Sequence, residues 1–155
     1  IAQVAGQHAL ILRRFCLVYL AYLAICYGAD YLLRQYSDVS VFELLCFLAV
    51  IEALRFTARG TDWGAVGDIS SLGHWKLAAF MAGFILLARL ALAVLENLVF
   101  HGGQDLGHLT LQQGLVFLGF GAVFWTLIIR FLFPLLVKRA RRNSQIERQV
   151  RSKTD

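Results

Sequence analysis

Residues 75–100 read WKLAAFMAGFILLARLALAVLENLVF, and the fold turns on this stretch. At about 1.5 Å of rise per residue it would reach roughly 39 Å as an α-helix, more than the ~30 Å of a bilayer's hydrocarbon core. Its apolar residues are near-continuous and do not form the single stripe of a surface helix. Open strands could not satisfy their backbone groups in lipid, which leaves helix as the workable state. Three similar segments surround it. FCLVYLAYLAICYGADYLL occupies 15–33, VSVFELLCFLAVIEALRF occupies 39–56 and is the least apolar, and LQQGLVFLGFGAVFWTLIIRFLFPLLV occupies 111–137. The fold class expected is all-α: an integral membrane bundle of four transmembrane helices within residues 1–137, then a basic cytoplasmic tail at 138–155.

Composition points the same way. Of 155 residues, 59% are hydrophobic and 16% charged, whereas soluble domains carry about 25% charged residues. With a single proline, Pro134, and no linker or internal repeat, the chain reads as one compact unit. Arg13 and Arg14 before an apolar run resemble the start of a signal peptide. That run continues through Leu33 without a small-residue cleavage site, so it reads as a spanning helix. Because the chain opens on Ile1, residues before it are expected. The net charge of +5 does not indicate nucleic acid, since the basic residues stand at the ends of apolar segments, where they orient a membrane protein. Cys16, Cys26 and Cys46 lie inside apolar runs without CxxC spacing and read as small packing residues.

Orientation follows from those basic residues. With the N-terminus inside, cytoplasmic segments hold Arg13 and Arg14, then Arg55, Arg59 and Lys76, then seven basic residues between Lys138 and Lys153. The outer loops hold only Arg34, and Arg89 and Arg130 are intramembrane. Twelve against one is a strong positive-inside bias, and it places both termini in the cytoplasm. The 57–74 connection is too polar to span; Trp63 and Trp75 suit the membrane interface, and a short interfacial helix fits there. The tail is expected to continue the last span as a helix before fraying, near anionic headgroups.

Seven ionisable residues fall within or at the edges of the spans: Asp30, Glu43, Glu52, Arg55, Arg89, Glu96 and Arg130. A central Asp, Lys or Arg costs about 2.5–3.5 kcal/mol on translocon scales, so such groups should face protein or water. Glu43 stands thirteen residues before Phe56 and Arg89 thirteen after Lys76, which puts both roughly 20 Å above the inner surface and matches them in depth. Arg130 lies about 12 Å up by the same rise, level with Glu52 and giving a second pair, with Arg55 as the rival partner. Glu43 and Glu52 fall about 180° apart on their helix, whereas Arg89 and Glu96 share a face, so Glu96 extends the Glu43–Arg89 contact outward. The first reading is of packing ion pairs that select neighbouring helices; a proton or ion pathway and contact with a partner subunit are the alternatives.

In the outer loop, HGGQDLGH carries His101, Asp105 and His108, residue types that bind zinc or copper when they share a helical face. Gly102, Gly103 and Gly107 favour a solvated turn instead, so neither a metal nor any other cofactor is expected. Ala79 with Gly83, and Ala78 with Ala82, offer small faces on the third span, and Gly114, Gly119 and Gly121 lighten the fourth. Phe120, Phe124 and Trp125 read as packing or lipid-facing residues. Nucleotide loops, a Ser/His/Asp set and paired acidic motifs of lipid-phosphate transferases are absent, so an enzyme is not expected.

VIEALRF at 50–56 and LLARLALAV at 86–94 resemble the Glu-bearing second span and Arg-bearing third span of the phosphate-starvation-inducible PsiE family, short four-span proteins with a basic C-terminus. The resemblance covers about a quarter of the chain, and it implies a bacterial inner-membrane protein without established chemistry. Here the intervening loop is longer and Glu43 and Arg130 are additional. The chain is also similar to the small four-span subunit of TRAP transporters, although it lacks a clear acidic pair early in its second span. The function expected is a non-catalytic subunit that stabilises or regulates a larger membrane complex, with lipids and a larger membrane protein or its own copies as partners. The alternatives are a small oligomeric transporter or ion-conducting protein, and a TRAP-type small subunit.

Overall fold

The computed structural model describes residues 2–36, 41–61, 63, 69–100 and 111–151. Among them the chain is all-α, with four helices and no strand: α1 (Ala2–Arg34), α2 (Phe42–Gly60), α3 (Ser71–Phe100) and α4 (Leu111–Arg151). Three stretches, His8–Arg34, Ser71–Val99 and Leu118–Asn143, are long and apolar enough to cross a membrane. Only 28%, 28% and 22% of their most apolar windows is buried within the chain, so most of their apolar surface faces outward. Leu17, Ile25, Phe80, Leu87, Phe120 and Phe131 are all more than half exposed to the medium around the chain. Apolar surface of this extent is what a membrane-spanning helix presents to acyl chains. Helix α2 is not among the three, because Glu43, Glu52, Arg55 and Arg59 fall within its 19 residues.

The chain forms two compact units, Ile1–Ile69 with Phe131–Asp155, and Ser70–Arg130. In the first unit, α1 buries one face at Ile11, Phe15, Tyr19, Leu23, Cys26 and Asp30, the i, i+4 progression of a single helical stripe. The Phe15 and Tyr19 rings stack along it, 5.9 Å apart. Helix α2 presents Cys46, Ala49, Val50, Ala53, Leu54, Thr57 and Ala58 as its buried face. Small residues there permit close approach. The two helices run antiparallel: Asp30 meets Val41, the Cys26 thiol donates to the Leu45 carbonyl at 3.4 Å, and Arg14 donates to the Gly60 carbonyl.

Both ends of α2 are closed by side chains from elsewhere. Val41 supplies no side-chain cap; its own N–H donates instead to Asp30 Oδ1 at 3.0 Å. At the other end, the last four carbonyls of a helix lack intrahelical donors. Here Thr61 Oγ1 donates to Thr57 O, Trp63 Nε1 to Ala58 O, each at 2.7 Å, and Arg14 to Gly60 O. Trp63 is buried, with its ring edge-on to Phe133 at 6.1 Å and the Arg141 guanidinium 5.6 Å from its centre. Its indole N–H therefore serves the helix end and not interfacial water. Any interfacial helix between α2 and α3 would involve 62 and 64–68, outside the described residues.

In the second unit, Ser70 caps α3: Gly73 N–H donates to its hydroxyl at 3.1 Å and His74 N–H to its carbonyl at 3.0 Å. Of the two small-residue faces, Ala78 and Ala82 are buried, while Ala79 is exposed and Gly83 looks onto open space. Helices α3 and α4 approach closely at Gly121, where a Cβ would lie 3.0 Å from Leu86 Cδ2. Helix α4 is continuous through Pro134 and on through the basic residues to Arg151.

Candidate functional site

The charged residues of the apolar helices are the candidates, and each is placed by its helix. Asp30 is the deepest: its side chain is 4% exposed, and it meets Arg34 Nε at 2.7 Å, one helical turn on. With Val41 N–H on its other oxygen, this carboxylate joins the last turn of α1 to the first turn of α2. A negative charge is favoured at a helix N-terminus and a cation in a last turn, so both ends gain. Its i, i+4 spacing to Arg34 is visible in the sequence, but the bond to Val41, eleven residues on, is not.

Glu52 Oε1 accepts from Arg55 Nη1 at 3.1 Å, with side-chain exposures of 43% and 46%. The partner described for Glu52 is thus Arg55, the rival. Relative to the buried face of α2, this pair and Arg59 lie on the opposite side. Arg130 belongs to the second unit, where its Nη2 donates to Ser71 Oγ at 3.3 Å and its guanidinium lies 5.5 Å from the Trp75 ring centre. Glu43 sits exposed in the first turn of α2, in the first unit. Arg89 and Glu96 are half-buried on α3, in the second. Beyond Ile85, no described residue of α3 is buried.

Among the described residues, no group of three or more His, Cys, Asp or Glu side chains gathers as a metal site would require. His101, Asp105 and His108 lie outside the described residues. Sequence reasoning also passed over Arg14 and Trp63, which close α2. Nothing in their spacing distinguishes Arg14 from Arg13, or Trp63 from an interfacial tryptophan.

What fold and site define is an all-α protein with three helices long and apolar enough to cross a membrane. No family model, curated protein or solved structure matches the chain.

Proposed function

We propose that the chain is a non-catalytic, four-span subunit of the cell inner membrane, both termini cytoplasmic, that stabilises or regulates a larger membrane complex. The observation that carries this reading is the Glu52–Arg55 pair, nearly half exposed on the face of α2 opposite its buried stripe. A carboxylate at that position would face hydrocarbon if the chain stood alone, at a cost of several kcal/mol that the i, i+3 arginine offsets only in part. A neighbouring protein surface removes the cost. The likeness of 50–56 and 86–94 to a family of short four-span inner-membrane proteins agrees with it.

That α2 is the fourth span is supported by its course along α1. Contacts run from Asp30–Val41 to Arg14–Gly60, so α2 covers the depth of a helix that is itself apolar enough to cross. Its 19 residues reach about 28 Å. The basic residues at 13–14, 55–59 and 138–153 would then share the cytoplasmic side.

Two measurements test the proposal. In a cysteine-free background, a membrane-impermeant thiol reagent on intact cells should label Gln35→Cys and Gln104→Cys and spare Gly64→Cys and Ser144→Cys. If Gln35→Cys and Gly64→Cys label alike, α2 does not cross. In mild detergent the chain should co-purify with a larger membrane protein at fixed stoichiometry, and Glu52→Gln should reduce that yield. A pure homo-oligomer that conducts a solute in liposomes, with flux abolished by Glu52→Gln, would sink the subunit reading.

A further inference from the structure

In the first unit, α2 and α4 border a small, partly open cavity of about 30 Å³, lined by Arg55, Arg59, Leu136, Arg139, Ala140 and Asn143. Helical spacing explains the convergence. Arg55 and Arg59 are one turn apart, and the four α4 residues follow i, i+3, i+4 and i+7 on one face. Three arginines and one asparagine thus line a single space. Of these three arginines, Arg55 meets a carboxylate, that of Glu52; among the described residues no ion pair is seen for Arg59 or Arg139. Like charges held around one partly enclosed space repel, and an entering anion reverses the sign of that interaction.

Chemistry and position narrow the anion. Arginine's planar fork donates paired N–H groups to carboxylate or phosphate oxygens, and three forks around one point suit an anion offering three or four oxygens. About 10–15 Å³ admits one water, so a cavity of ~30 Å³ takes the oxygens of one such group but no ring or chain attached to it. The apolar run of α4 ends at Val137 and the basic residues begin at Lys138, so the wall residues Leu136 to Asn143 straddle the level where hydrocarbon would give way to headgroups. We propose that this cavity binds a phosphate group, either the headgroup phosphate of an anionic phospholipid or a soluble phosphate. The lipid source rests on the membrane-spanning reading above; the phosphate chemistry does not.

The test uses the purified full chain in neutral detergent micelles. Native mass spectrometry with added phosphatidylglycerol or phosphatidylcholine, and a titration with inorganic phosphate, separate the two sources. Phosphatidylglycerol should bind in preference to phosphatidylcholine and be displaced by inorganic phosphate. Arg59→Ala with Arg139→Ala should weaken that binding at least about tenfold, as expected on losing hydrogen bonds from charged donors. Arg13→Ala with Lys138→Ala removes two exposed charges outside the cavity wall and the hollow that adjoins it and should change it less than about twofold. These side chains are exposed, and unchanged helicity by circular dichroism verifies folding. Equal losses in the two double variants would mean diffuse charge and overturn the site, as would indifference to phosphate in every form. Binding of inorganic phosphate without phosphatidylglycerol would overturn the lipid source. None of these outcomes depends on how many helices cross a membrane or on a protein partner.

Discussion

Asp30 offers the sharpest test of how the first unit is held together, because one carboxylate serves two helix ends. Asp30→Ala removes the acceptor of the Val41 N–H and the partner of Arg34 together. The bond from Val41 is charge-assisted and part-buried, worth about 1.5–3 kcal/mol. The Arg34 side is discounted for solvent screening, since that side chain is 48% exposed, and contributes roughly 0.2–1 kcal/mol. Alanine should therefore cost about 2–4 kcal/mol by the sum of these ranges. Asp30→Asn keeps an acceptor for Val41 but loses the charge, and should cost about half as much. Arg34→Ala leaves the carboxylate with Val41 and should be the mildest single change. The assay is reversible unfolding in detergent, followed by helicity, together with amide exchange at Val41, which should accelerate in the alanine variant and little in Arg34→Ala. Equal losses for alanine and asparagine would refute the account of Asp30 as a distal cap, and so would an alanine loss below about 0.5 kcal/mol, the ordinary surface range.

Three further outcomes are expected in the same unfolding assay. Gly121→Val should cost about 1–3 kcal/mol by overpacking against Leu86, whereas Gly119→Ala, in open space, should be neutral or gain up to about 1 kcal/mol from helix propensity; a Gly121→Val loss no larger than that of Gly119→Val would remove the close approach. Trp63→Phe should lose about 1 kcal/mol with the hydrogen bond to Ala58, and Trp63→Ala about 3–5 kcal/mol with the Phe133 contact also gone; equal losses would mean that the ring contributes nothing. Arg14→Ala should cost about 0.5–1.5 kcal/mol through the orphaned Gly60 carbonyl and the lost contact with Phe56, and Arg13→Ala less than about 0.5 kcal/mol; indistinguishable variants would contradict the described closure of α2.

The helical class was legible because continuous apolar runs need no tertiary information: lipid permits little besides helix. Choices that depend on neighbours were not legible. Spacing alone offers both Ala78/Ala82 and Ala79/Gly83 as close-packing faces, and burial selects the first pair. Asp30 was visible as an ionisable residue near the end of a span, but its backbone partner arises only when the chain reverses direction. Trp63 has the composition of an interfacial residue, yet the end of α2 leaves a carbonyl within reach of its indole. For Glu52, two arginines could compete by depth, and the partner described is the local one, held at 3.1 Å on the same helix. The second apolar segment shows where counting ends: its four charges within 19 residues set it apart from the other three, and only its course along α1 supports reading it as a span.

The exterior of α2 is divided along its length, and that division separates the two proposals. Toward its start it exposes Leu44, Phe47 and Leu48, side chains that acyl chains solvate. Toward its end it carries Glu52, Arg55 and Arg59. Arg55 and Arg59 have long stems and a cavity to reach, so their heads can leave hydrocarbon. Glu52 is shorter and stands about 12 Å before Gly60, which leaves it the group that lipid cannot solvate. Its carboxylate also competes with any phosphate for Arg55. Glu52→Gln should therefore weaken assembly with the larger partner while leaving phosphatidylglycerol binding equal or up to several-fold tighter. Arg59→Ala with Arg139→Ala should do the opposite, lowering lipid binding while retaining the partner. Co-purification yield and native mass spectrometry, run on both variants, read the two effects separately. If Glu52→Gln loses partner and lipid together while its helicity and unfolding midpoint match the wild type, the charges of α2 form one site, and the separation drawn here between Glu52 and the arginine cavity is wrong.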